Sequence, residues 1–250
     1  MKTPSSTPNI VTLVLGRIQS RINRSKESQH LARVGETVER AIDLDQLQAF
    51  LGVSDADYAR IEGEFSGVKE ALKGDLDFVS TSDLSLLWLE YLLCRHAEPE
   101  HVVETGVWIG SSSYTILSAL EKNGKGKLSS IDFPPFRPKN RVSIGRVVTE
   151  ALYPRWSLHL GPSKSLLPKL ARGGEVDIFI HDSDHTYLNM MAEFRIGWDL
   201  LKPGGYLVSD DSSTNDSILD FSDEIGEPVR LFHRIKGGTV GIIRKPGAAS

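Results

Sequence analysis

The segment IHDSDHTYLNMMAEF, residues 180–194, sets Asp182, Asp184 and His185 within four positions, directly after the apolar run VDIFI. A second acidic pair, Asp210 and Asp211, ends the run YLVSDD. Carboxylates brought to one place repel one another unless a cation sits between them or one takes up a proton. All-oxygen ligation by Asp182, Asp210 and Asp211 would suit Mg²⁺, Mn²⁺ or Ca²⁺ and would be a poor choice for structural zinc. The plainer alternative is that Asp210 and Asp211 cap a helix at SSTND while Asp182 hydrogen-bonds backbone, although capping needs one acid rather than three. His185 adds an imidazole able to accept a hydroxyl proton at neutral pH, with Asp184 as the competing base. The competing role for His185 is a plain histidine at a helix rim.

These residues need strands to carry them. From about residue 82 the chain alternates helices with short apolar strands, the pattern of a parallel sheet covered on both faces. Strands are predicted at HVVET (101–105), KLSSIDF (127–133), WSLHLG (156–161), VDIFIHD (176–182) and YLVSDD (206–211), with helices over 83–96, 112–122, 139–152, 164–171, 186–201 and about 215–224. KPGG hands the fifth helix over to its strand. PVRLFHRI and TVGIIRK, separated by Lys236 and the pair Gly237 and Gly238, must form an antiparallel hairpin. The fourth and fifth strands are expected side by side, which brings Asp182 and Asp210–Asp211 to one rim. The fold class is thus α/β, a seven-stranded, mostly parallel Rossmann-like sheet closed by a C-terminal hairpin.

Residues 1–80 read as a helical extension, a cap or an oligomer contact, ahead of a ligand-binding domain over 81–250. Ser54 followed by DADYARIEGEFSGVKEALKG has an N-cap, an acidic first turn and Gly74 at the C-cap position. The polar stretch around Gly35 suggests a linker. NIVTLVLGRI, with Arg17, Arg21, Arg24 and Lys26 behind it, reads as an amphipathic helix that packs on the main domain or a partner, with attachment to an anionic membrane surface as the second option.

A formal net charge of −4 gives no basic footprint for nucleic acid. No apolar segment reaches the roughly 20 residues that span a bilayer. The single cysteine, Cys94, lies in LSLLWLEYLLC, so neither an internal disulfide nor a cysteine metal site can form, and a reduced, cytoplasmic setting is expected.

The loop ETGVWIGSSSY follows the first strand, where open α/β sheets put ligands. A dinucleotide fingerprint needs glycine where this chain has Trp108, so a pyrophosphate is disfavoured. Glu104 would repel a pyrophosphate yet could hold a cationic ligand such as S-adenosylmethionine. Asp132 ends the second strand, placed to accept hydrogen bonds from ribose hydroxyls. Glu104, Gly106, Gly110 and Ser112, in the pattern E-x-G-x-x-x-G-x-S, resemble motif I of the class I small-molecule O-methyltransferases, and with the KPGG turn and the hairpin the resemblance covers residues 82 to 245. It implies S-adenosylmethionine as cofactor. Glu104, Thr105, Gly106, Gly110, Ser111 and Ser112 would line its methionine end, Asp132 and Phe133 its ribose and adenine, and Ser163 in GPSK the adenine edge, with Asp182 beside the cofactor. Ser163 as a helix N-cap is the equal alternative.

Asp182, Asp184, His185, Asp210 and Asp211 further resemble the metal-dependent members of that family, the catechol type and the sugar-modifying type of antibiotic pathways. By resemblance Asp182, Asp210 and Asp211 are the metal ligands, Mg²⁺ the expected ion, and His185 or Asp184 the base. The catechol type has an amide where this chain has Asp211, which favours the sugar-like group. The implied acceptor is a hydroxyl of a small molecule, bound between the N-terminal helices and FPPFRPKNR (133–141), whose Arg137, Lys139 and Arg141 are expected to be solvated. Three other readings compete: methyl transfer to an amine or carboxylate without metal, an NAD-dependent dehydrogenase, and a silent methyltransferase-like module.

Overall fold

The computed structural model describes residues 18–24, 27–133 and 144–248. The predicted apolar runs form β1 (His101–Thr105), β2 (Lys127–Asp132), β3 (Trp156–Leu160), β4 (Val176–His181), β5 (Leu201–Ser209), β6 (Arg230–His233) and β7 (Thr239–Arg244). They make one seven-stranded sheet in the order β3-β2-β1-β4-β5-β7-β6. β1 to β5 pair in parallel, and β7 runs antiparallel to both β5 and β6. The chain moves outward from β1 to β3 and then returns to place β4 on the other side of β1. The crevice between the C-terminal ends of β1 and β4 is therefore the switch point at which such sheets bind ligands.

The helices are α1 (residues 18–24), α2 (Val34–Glu39), α3 (Leu47–Leu51), α4 (Asp55–Leu72), α5 (Leu76–Thr81), α6 (Leu84–Ala97), α7 (Ser111–Asn123), α8 (Ser163–Leu170), α9 (Tyr187–Leu200) and α10 (Ser217–Ile225). Ser54 caps α4 by accepting from Asp57 N at 3.2 Å. One apolar cluster joins α3, α4, α6 and α7 to one face of the sheet, and a second packs α8, α9 and α10 on the other. The first cluster runs across residue 80, so the N-terminal helices and the sheet share a core. Ile42 pairs by both backbone groups with β6, accepting from His233 N and donating to Leu231 O, which covers an otherwise open edge.

Three expectations change. Gly35 lies inside α2, not in a linker. Of the helix expected at 139–152, residues 139–143 fall outside the described residues, 144–148 form turns and bends, and Glu150–Arg155 is a 3₁₀ helix containing Pro154, whose missing N–H and ring oppose α-helix. KPGG belongs to β5, because α9 passes directly into a strand that starts at Leu201 opposite Val176, with a register shift before Ile178. Lys202 Nζ reaches Asp177 at 2.8 Å and holds that irregular start to β4.

Candidate active site

A cavity of about 1080 Å³ opens at the C-terminal ends of β1, β2, β4 and β5, roofed by α1. Its first wall is the loop after β1. Gly106 has φ +87°, and a Cβ there would lie 1.8 Å from Asp182 O, so only glycine lets the loop pass the end of β4. Trp108 also has positive φ, 51°, and is half exposed. Asp132 Oδ2 fixes the turn by accepting from Val107 N at 2.9 Å and Trp108 N at 2.8 Å.

Of the residues expected to hold the cofactor, Gly106, Ser111, Ser112, Asp132, Phe133, Ser163 and Asp182 line this cavity. Glu104, Thr105 and Gly110 lie behind the wall. Glu104 is fully buried and accepts from Ser113 Oγ at 2.6 Å and Ser130 Oγ at 2.7 Å; burial pushes its carboxyl pKa up. Thr105 donates to buried Glu193 at 2.6 Å. Gly110 has φ +97°, and its Cα hydrogens face Gly145, where a Cβ would lie 2.8 Å from Cα. These three shape the loop from outside the cavity: the Glu104 and Thr105 side chains point between sheet and helix, and Gly110 starts α7 against Gly145.

The second wall is the acidic rim. Asp182, His185 and Asp210 each turn a donor atom to one point, all within 4.8 Å of one another. His185 Nε2 is 3.6 Å from Asp182 Oδ1 and has no hydrogen-bond partner. Burial, with Asp210 and Glu90 close by, holds the Asp182 carboxyl well above the ordinary carboxylate range. Burial also raises Asp210 to about 6, against the pull of Arg234. Burial and the neighbouring His181 lower His185 to about 4, so its imidazole is neutral at pH 7. Asp184 Oδ2 accepts from Ser20 Oγ at 2.7 Å, tying α1 to the rim.

Asp211 departs from the expected ligand set. Its φ is +45°, and its carboxylate turns to the guanidinium of Arg234. Arg234 Nη1 is also 3.1 Å from Asp210 Oδ1, and Nε is 3.4 Å from Asp83 Oδ2. The cation demanded by the carboxylates is thus in part supplied by the chain itself. Sequence reading missed Arg234 because only the β6–β7 hairpin folds it back onto the end of β5. Glu193 was also missed, although an acid among Met190, Met191 and Phe194 signals a buried charge. Replacing Arg234 with Met should destabilise the protein by about 3–5 kcal/mol, the usual cost of leaving a buried charge unpaired. The deficit should shrink as the pH falls, because protonation neutralises the abandoned carboxylates. Thermal melts of both proteins across pH 5–8 check this, and a pH-independent difference would contradict the assignment.

Comparison with known proteins identifies the fold. Residues 103–212 match the family model described as a methyltransferase domain. The chain carries a methyltransferase domain. The chain is similar in structure to the O-methyltransferase TomG from Streptomyces achromogenes, involved in tomaymycin synthesis and solved with S-adenosylmethionine, at 18% identity and a TM-score of 0.55 over 72% of this chain and 89% of that one. It is also similar to the O-methyltransferase of Bacillus cereus in complex with S-adenosylhomocysteine, at 18% identity and a TM-score of 0.52, covering 75% and 91%. A methyltransferase from Geobacter sulfurreducens gives 17% identity and 0.54, covering 83% and 98%. No curated protein matches the sequence. Among the described residues no helix is long and apolar enough to cross a membrane.

Proposed function

We propose that this methyltransferase moves the methyl group of S-adenosylmethionine to a hydroxyl of a small polyhydroxylated molecule, a sugar or natural product, in the cytoplasm. The observation that carries the reading is one cavity whose first wall is the glycine loop pinned by Asp132 and whose second is Asp182, His185 and Asp210. The O-methyltransferase names of TomG and the Bacillus cereus protein support the choice of acceptor.

In this reading Gly106, Ser111, Ser112 and Asp182 border the methionine end of the cofactor, Asp132 the ribose, and Phe133 and Ser163 the adenine, with Glu104, Thr105 and Gly110 shaping the loop from behind. His185 takes the acceptor proton at Nε2, the unpartnered nitrogen. Asp184 is committed to Ser20 and serves to hold α1 over the acceptor side. Residues 1–80 act as the cap of the 81–250 catalytic domain, with an outer face left for a second copy.

The donor set fits a divalent ion, because Asp182 and Asp210 stand protonation-prone and converge with His185 at one point. Asp182 and Asp210 would hold Mg²⁺, or Mn²⁺ or Ca²⁺, and Asp211 would join only on release from Arg234. Such an ion lowers the pKa of a bound hydroxyl and orients it. Alignment of that oxygen with the sulfonium methyl supplies much of the rate, since the methyl group is already activated.

The ion pair of Arg234 with Asp210 and Asp211 favours one second reading, methyl transfer to an amine or carboxylate with no metal. Calorimetric titration with S-adenosylmethionine, with Mg²⁺ and with a chelator, tests both. Saturable cofactor binding, a separate Mg²⁺ heat and loss of turnover of vicinal diols on chelation are expected. Turnover indifferent to the chelator would transfer support to the metal-free reading.

A further inference from the structure

Glu193 on α9 is fully buried at the floor of the cavity, whose lining it shares with Ser163 and Ser183. Five groups converge on its carboxylate. Ser163 Oγ donates to Oε1; Ser183 Oγ lies 2.9 Å from Oε1 and 3.0 Å from Oε2; Asn189 Nδ2 donates to Oε1 at 3.1 Å. On the other oxygen, Thr105 Oγ1 donates at 2.6 Å and His181 Nδ1 at 2.7 Å. An ionised carboxylate only accepts, so His181 carries its proton on Nδ1, and each hydroxyl hydrogen is spent on Glu193. Burial opposes the charge, but His181 and the hydroxyl donors outweigh it and hold Glu193 at about 2.

A hydroxyl has one hydrogen and two lone pairs. With their hydrogens turned inward, Ser163 and Ser183 can offer the cavity lone pairs alone. We infer that Glu193 is a positioning residue for cofactor selection: it locks Ser163 and Ser183 as acceptors, so that this wall takes a purine carrying an exocyclic amine and rejects one carrying an oxo group. The inference rests on the reading of this cavity as the S-adenosylmethionine site, with Ser163 at the adenine end. An exocyclic amine donates to such a wall. A 6-oxo purine would set a second acceptor against it, and a buried pair of acceptors cannot both be satisfied.

The test compares binding of S-adenosylhomocysteine and its deaminated analogue, S-inosylhomocysteine, to the full chain and to two variants, Glu193→Gln and Ser163→Ala. The wild type should prefer the adenine form by roughly 30-fold, within the range expected for leaving one buried acceptor unsatisfied. In Glu193→Gln the amide can donate to a serine oxygen and free its hydrogen to turn outward, so the preference should fall below about 5-fold. Ser163→Ala removes the acceptor outright and should lower the preference as well, which keeps the test open if the first variant folds poorly. A merely structural Glu193 would weaken both ligands equally, and an unchanged ratio in either variant overturns the inference. If the wild type binds neither ligand, the cofactor reading falls and this inference with it, a result distinct from an unchanged ratio.

Discussion

Replacing Gly106 with Ala should abolish S-adenosylmethionine binding and destabilise the fold by more than about 4 kcal/mol, a size reserved for backbone conflict in a packed region. Two independent features impose this. The φ of +87° is costly for any L side chain, and the new methyl would lie 1.8 Å from Asp182 O and 2.4 Å from Asp182 C. Neither obstacle is the end of a flexible side chain. The loop after β1 would have to leave β4, or β4 would have to move from β1, to which Asp182 N is tied by a 2.8 Å bond to Thr105 O. Gly106 N also donates to Ile131 O at 2.8 Å, so the same shift disturbs β2 and the Asp132 contacts to Val107 and Trp108. Thermal melting and cofactor titration of Gly106→Ala check the prediction. Gly124→Ala is the control, because it also has positive φ, 69°, but no atom within 4 Å of an added Cβ. Equal losses in the two variants would show that φ alone matters.

Replacing His185 with Ala should lower turnover by about 10²–10⁴, the range for loss of a positioned general base. Cofactor affinity should stay within about threefold, because such a base acts in the transition state rather than in ground-state binding. His185 is neutral at pH 7, its Nε2 lacks a hydrogen-bond partner, and it stands beside Asp182 on the cavity wall. Asp184→Asn should cost far less, since that carboxylate is held by Ser20 Oγ at 2.7 Å. Steady-state turnover and calorimetric affinity for both variants separate the roles. A full rate in His185→Ala would remove it from the chemistry, and a larger loss in Asp184→Asn would exchange the two assignments.

The sheet was legible because its cause is local. Short, largely apolar runs such as HVVET and VDIFI, each followed within two residues by glycine or an acid, read as buried parallel strands. The Gly237–Gly238 pair dictates the hairpin with equal force. The position of the site followed from the same pattern, since strands four and five had to deliver Asp182 and Asp210 to one rim. The helix expected at 139–152 gives way in its described part to turns around Gly145, whose φ is +71° and whose N–H donates to Trp108 O at 2.9 Å, a long-range contact that no local pattern encodes.

What the sequence by itself determined was therefore the order of elements and which residues stand at strand ends. What only the tertiary structure decided was the direction in which those side chains point and what they meet. Glu104 and Thr105, adjacent on β1, point to opposite faces of the sheet, Glu104 to Ser113 of α7 and Thr105 to Glu193 of α9, so neither side chain faces the crevice beyond the strand ends. Asp211 leaves the carboxylate cluster because the hairpin brings Arg234, 23 positions later in the chain, against it. Glu193 collects donors from β1, β4, α8 and the loop after β4, segments joined by packing rather than by sequence. Local residue type selects strand, turn and helix, whereas pairing of charges and orientation of hydroxyls depend on distances between segments that no local pattern encodes.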